Sequence, residues 1–169
     1  MFRPMHLTLA ALALPLLSTA GLADLTVRFI EGAPKDRVEI KNVGACALTA
    51  STLTLDLTTS QGALIFDVTG SGAGIEIFQP FEVVAGREAL TTLPTLVDGQ
   101  NSIDLPISTL GSGASIAFTI DVDDTLGGRE ITMTGSEISG AKVKLVGADV
   151  PQSAFFGSDA QAKVTGLSC

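Results

Sequence analysis

The chain is 169 residues long and carries ten Lys and Arg against eighteen Asp and Glu, a formal charge of −8, with one His, two Cys and neither Tyr nor Trp. That length holds one domain. Such acidity repels phosphate backbones and anionic lipid, which excludes nucleic acid as an expected partner and favours divalent cations.

The opening residues read as an export signal. MFRPMH carries the single charge Arg3, residues 7–20 (LTLAALALPLLSTA) are apolar, and GLA (21–23) ends in small residues before Asp24. This pattern predicts a secretory signal peptide over 1–23, cleaved after Ala23, and one domain over 24–169. The processed chain then has 146 residues and a charge of −9, because Arg3 is the only charge lost. It also loses His6, the only histidine. Without His there is no Ser-His or Cys-His nucleophile pair and no imidazole for zinc or copper, so much enzymology is excluded. Beyond Ala23 no apolar run approaches the roughly 18 residues of a membrane helix. The expected location is periplasmic, cell-surface or extracellular, without membrane insertion. In such an oxidising compartment Cys46 and Cys169 are expected to pair, the alternatives being an intermolecular bond or two free thiols.

Along the rest of the chain, period-two alternation is broken by Gly, Asn, Asp and Pro, which predicts strands. LTVRFI (25–30) and RVEIKN (37–42) flank the turn EGAPKD and predict a hairpin, with Val38 and Ile40 inward. STLTLDLTT (51–59) sets Leu53, Leu55 and Leu57 on one face. GALIFDV (62–68) is a shorter apolar strand, and 75–86 is another that Pro80 confines to an edge or a bend. Further strands are predicted at 88–93, 102–108, 114–123, 129–138, 141–147 and 162–167. No window shows helical spacing, so the predicted fold is all-β, a single-domain β-sandwich of jelly-roll or immunoglobulin-like kind.

The densest chemistry lies in FTIDVDDTLGGRE (118–130). Phe118, Ile120 and Val122 point inward by alternation, which places Asp121 and Asp123 on the other face, and Asp124 opens the turn. Calcium takes six to eight oxygens; Asp121, Asp123 and Asp124 supply side chains, the Gly127-Gly128 loop supplies carbonyls, and Glu130 reaches back as a further ligand. The alternative is a solvated strand end whose turn Gly127 and Gly128 complete. TGSGAG (69–74) precedes a strand rather than a helix and so does not match a phosphate loop. Paired carboxylates such as Glu76, Glu82, Asp121 and Glu130 offer a route to glycoside hydrolysis, but such clefts stack sugars on aromatic faces and only seven Phe follow the signal segment.

The segments DLTVRFIEGAPKDRVEIKNVGACAL (24–48), FQPFEVVAG (78–86) and FTIDVDDTLGGREITMTGSEISGA (118–141) resemble the small exported bacterial proteins of the aggregation factor core family. That resemblance implies an extracellular β-domain associated with calcium-dependent adhesion. RVEIKNVGACALTASTLTL (37–55) is also similar to immunoglobulin-like modules of the lamin-tail type, which implies a sandwich fold. The combined expectation is an exported, non-enzymatic surface or matrix domain that meets an extracellular protein or polysaccharide, with calcium as the one cofactor. The competing expectation is a carboxylate-based carbohydrate-active enzyme or a carbohydrate-binding module.

Overall fold

The computed structural model describes residues 21–73, 78–126, 134–147 and 150–168. Alternation governs the first hairpin. Strand β1 (Leu22–Ile30) buries Ala23, Leu25, Val27 and Phe29, and β2 (Asp36–Asn42) buries Val38 and Ile40 against them. β3 (Leu48–Asp56) turns Leu53 and Leu55 inward and Thr52 and Thr54 outward. The short β4 (Ile65–Asp67) and β5 (Glu82–Ala85) are followed by the long β6 (Ser102–Leu110) and β7 (Ser115–Asp123). β8 (Lys142–Val146), β9 (Gln152–Phe155) and β10 (Gln161–Ser168) complete the chain.

These strands form two antiparallel sheets. One is six-stranded, ordered β10-β1-β2-β7-β4 with β5 also paired to β7, and the other is four-stranded, ordered β6-β3-β8-β9. Their apolar faces meet in one core that includes Leu25, Val27, Ile40, Phe118 and Ile120 from the first sheet and Leu53, Leu55, Leu105 and Val143 from the second. The fold is a β-sandwich, as the alternation predicts. Because β10 pairs with β1, the last strand lies beside the first. No helix among the described residues is long and apolar enough to cross a membrane.

Three predicted strands differ. Residues 87–89 form a single 3-10 turn and Leu90 makes only an isolated bridge to Ile107. The cause is Gly86, whose φ of +70° bends the chain where a Cβ would lie 2.2 Å from the carbonyl oxygen of Ser115. Of the strand predicted at 75–86, residues 75–77 lie outside the described ones, 78–81 are not in a strand, and Glu82–Ala85 form β5. Of 129–138, the part up to 133 is outside the described residues and the remainder is a run of turns. There Thr134-Gly-Ser-Glu137 has the S/T-x-x-E spacing of a capping box, and the Glu137 carboxylate accepts from both the backbone N–H and the hydroxyl of Thr134. β9 escapes the alternation reading because its residues are half-buried or exposed in turn, with none fully buried.

Candidate functional site

β7 is central in its sheet, and its final residues are where acids from three strands meet. On one side it pairs with β2, setting Asp36 opposite Ile120. On the other side it pairs first with β5, Glu82 opposite Thr119, and then with β4, Asp67 opposite Asp121 and Ile65 opposite Asp123. Directly opposed residues of an antiparallel pair share a face about 4.5–5.5 Å apart at Cβ, so the Asp67–Asp121 position sets like charges against each other.

Asp67 is the most unusual side chain of this rim. It is fully buried, and neither carboxyl oxygen has a hydrogen-bond partner among the described residues. Burial, with the neighbouring acids Asp98 and Asp123, pushes its pKa up to about 6. Two ionised carboxylates offer acceptors and no donor, so a retained proton is the only means by which Asp67 and Asp98 can bond. Asp98 is the natural acceptor. Its Oδ1 takes the N–H groups of Val68 at 3.0 Å and Thr69 at 3.2 Å, and its Oδ2 takes that of Ala73 at 2.8 Å. These donors hold its pKa below the ordinary carboxylate range.

Asp36 lies on the core-facing side at the start of β2, where the backbone ladder to β7 has run out. Its Oδ2 accepts from Val122 N–H at 3.2 Å in place of a strand carbonyl, and its Oδ1 accepts from Gly32 N–H at 3.0 Å. Burial nevertheless pushes its pKa up to about 7, aided by the charges of Asp121 and Asp123. Asp121 is half-buried, and burial together with Asp123 and Asp67 raises it to about 7 as well. Thr119, two residues earlier on the same face, has a buried hydroxyl without a partner among the described residues. Nearby cations are partly committed: Lys35 Nζ pairs with Glu82 Oε2 at 2.9 Å, while Arg37 lies opposite Thr119.

Of the four sequence-predicted ligands, Asp121 and Asp123 share the outer face of β7 with Thr119, and Asp123 is 7% exposed. Asp124 is half-buried at the start of the turn and packs towards the Gly62 turn, where Thr125 N–H donates to Gly62 O at 3.1 Å. Glu130 lies outside the described residues. Among the described residues no group of three or more His, Cys, Asp or Glu is arranged to hold a metal ion. Sequence reading missed Asp36, Asp67 and Asp98. The signal for Asp67 was an acid set within the continuous apolar run Leu64-Ile65-Phe66 and Val68, which marks a strand covered on both faces.

Beside Val68 and Thr69 an apolar hollow of about 340 Å³ opens between Pro80, Phe81, Leu93, Pro94 and Leu96. None of the acids lines it, so no carboxyl pair faces across it. Cys46 is half-buried at the far end of the sandwich, and Cys169 lies outside the described residues. No family model, no curated protein and no solved structure matches this chain.

Proposed function

We propose that this chain is an exported, non-enzymatic surface or matrix domain whose acidic rim responds to calcium and thereby controls adhesion to an extracellular protein or polysaccharide. The observation that carries this reading is the orphan carboxylate of Asp67, buried beside Asp121 and Asp123. A buried, unpartnered carboxylate flanked by like charges costs several kcal/mol unless a proton or a cation neutralises it. Outside the cell a divalent cation is the abundant neutraliser at neutral pH. The described acids do not converge on one point by themselves, so calcium binding through Asp121, Asp123 and Asp124 requires Glu130 as well, or a shift of the rim side chains. Against the enzymatic alternative stands accessibility. Asp67 is the acid with a raised pKa nearest a carboxylate of lowered pKa, yet it is closed to any substrate.

The Cys46–Cys169 bond belongs to the same proposal. Ser168 pairs with Leu22, and a Cβ on the preceding Gly21 would lie 3.7 Å from Cys46 Sγ, so the register brings the end of β10 towards Cys46. Sedimentation velocity of the exported protein tests the adhesion reading. Calcium at millimolar concentration should drive association that a chelator reverses and Asp123→Ala abolishes. A monomer indifferent to calcium would overturn it.

A further inference from the structure

We infer that export processing cuts the chain between Ala20 and Gly21, three residues before the boundary that the sequence pattern alone suggests. This rests on the export reading and concerns where the leader ends. At the close of the apolar stretch, two sites ending in Ala have the small-x-small form that a signal peptidase accepts, Ser18-Thr19-Ala20 and Gly21-Leu22-Ala23. Sequence chemistry does not separate them, but the fold of the product does.

Leu22 and Ala23 are working members of β1. Leu22 pairs with Ser168 and Ala23 with Leu167, and Ala23 is fully buried. The turn after β2 is built around their backbone. Ala45 N–H donates to Leu22 O at 2.9 Å and Val43 N–H donates to Asp24 O at 2.8 Å. Between these two bonds Gly44 lies so close that an added Cβ would be 2.5 Å from Leu22 O and 2.6 Å from Ala23 Cα. No residue but glycine fits that approach. Cutting after Ala23 would remove the carbonyl that Ala45 bonds, leave a void where the Ala23 methyl was packed, and place a new ammonium group on Asp24 beside Gly44. Cutting after Ala20 leaves every one of these contacts in place. In that reaction water is added across the Ala20–Gly21 peptide bond, its hydroxyl going to the Ala20 carbonyl carbon and its hydrogen to the Gly21 amine, within the active site of a membrane-bound signal peptidase.

Intact-mass measurement and N-terminal sequencing of the full chain, expressed in an exporting host, test this directly. The expected amino terminus is Gly-Leu-Ala-Asp. An exported chain beginning Asp-Leu-Thr would overturn the inference, while an intact Met1 on exported protein would overturn it by removing the export reading beneath it. A second measurement tests the physical basis. Oxidised chains beginning at Gly21 and at Asp24 are compared by thermal melting, and the shorter should melt about 5–10 °C lower or fail to fold. Equal midpoints would show that the strand start does not discriminate and would sink the argument.

Discussion

Two fully buried polar side chains lie at opposite ends of β7, and they have been treated very differently by the fold. Asn42, whose backbone N–H bonds Ala114 O beside the start of β7, has its needs met: Nδ2 donates to Cys46 O at 2.8 Å and to Leu110 O at 2.9 Å, and Oδ1 accepts from Gly44 N–H at 3.0 Å. It ties the β2 turn to the opposite sheet. Asp67, opposite the far end of β7, has no hydrogen-bond partner for either oxygen among the described residues and faces Asp121. A satisfied polar group in a core is a fastener, whereas an unsatisfied one is a strain. The Asn42 end is therefore read as architecture and the Asp67 end as the site.

The largest expected effect is at the architectural end. Opening the proposed Cys46–Cys169 bond, which would enclose 122 residues, should cost about 4–5 kcal/mol in the chain-entropy model without changing the fold. Non-reducing peptide mapping and urea melts of Cys46→Ser check this; two alkylatable thiols in exported protein would end the idea. Next comes Asn42→Ala, which strands two carbonyls and one N–H that the side chain now satisfies. A loss of about 3 kcal/mol is expected, independent of pH between 5 and 8. If Asn42→Ala were as stable as the parent, the distinction between the two ends would fail.

At the Asp67 end the expected sign reverses. Asp36, Asp67 and Asp121 all have folded pKa values raised above the ordinary carboxylate value, to about 7, 6 and 7. Between about pH 4 and pH 7 the folded chain therefore holds more protons than the unfolded one, and stability falls as pH rises through that window. Burial sets this balance first, with the acids Asp98 and Asp123 adding to it and the N–H groups of Gly32 and Val122 opposing it. Asp67→Asn removes one carboxylate and supplies an N–H for Asp98. It should stabilise the chain by about 2 kcal/mol at pH 8 and by little at pH 5, flattening the pH profile. Chemical denaturation at both pH values decides it. A parent protein more stable at pH 8 than at pH 5 would contradict the whole account of the rim.

The contrast also explains what the sequence disclosed. Period-two burial is a local property, so Val38, Ile40, Leu53, Leu55, Phe118 and Ile120 were legible as core, and with them the sandwich. Which acids meet is decided by pairing between β4, β2 and β7, strands separated by tens of residues with no local mark of their partnership. Asp121 and Asp123 were visible as a run of charge; Asp36 looked like a turn residue because its carboxylate extends the ladder only once β7 is beside it. Leu22 and Ala23 were hidden for a different reason, since small and apolar residues serve equally as a cleavage signal and as the start of a strand.

The smallest expected effect is the one that bears most on function. If calcium relieves the rim, it competes with the protons that do so at lower pH, and the two ligands are linked. At pH 8, with free calcium at about ten times its dissociation constant, stability should rise by roughly 1.4 kcal/mol, and for the millimolar affinities typical of extracellular modules this needs about 1–10 mM calcium. At pH 5 the same calcium should add much less, because protonated Asp36, Asp67 and Asp121 leave little charge to neutralise. Magnesium should do less at either pH, since its octahedral hydration shell is given up reluctantly. Asp123→Ala should abolish the calcium response while leaving most of the proton response, because burial is the largest cause of the raised pKa values of Asp36, Asp67 and Asp121. Melting midpoints at constant ionic strength measure all four cases. A calcium effect equal at pH 5 and pH 8 would place the cation elsewhere on this acidic surface, and no effect at pH 8 would leave protons as the only solute that the rim senses.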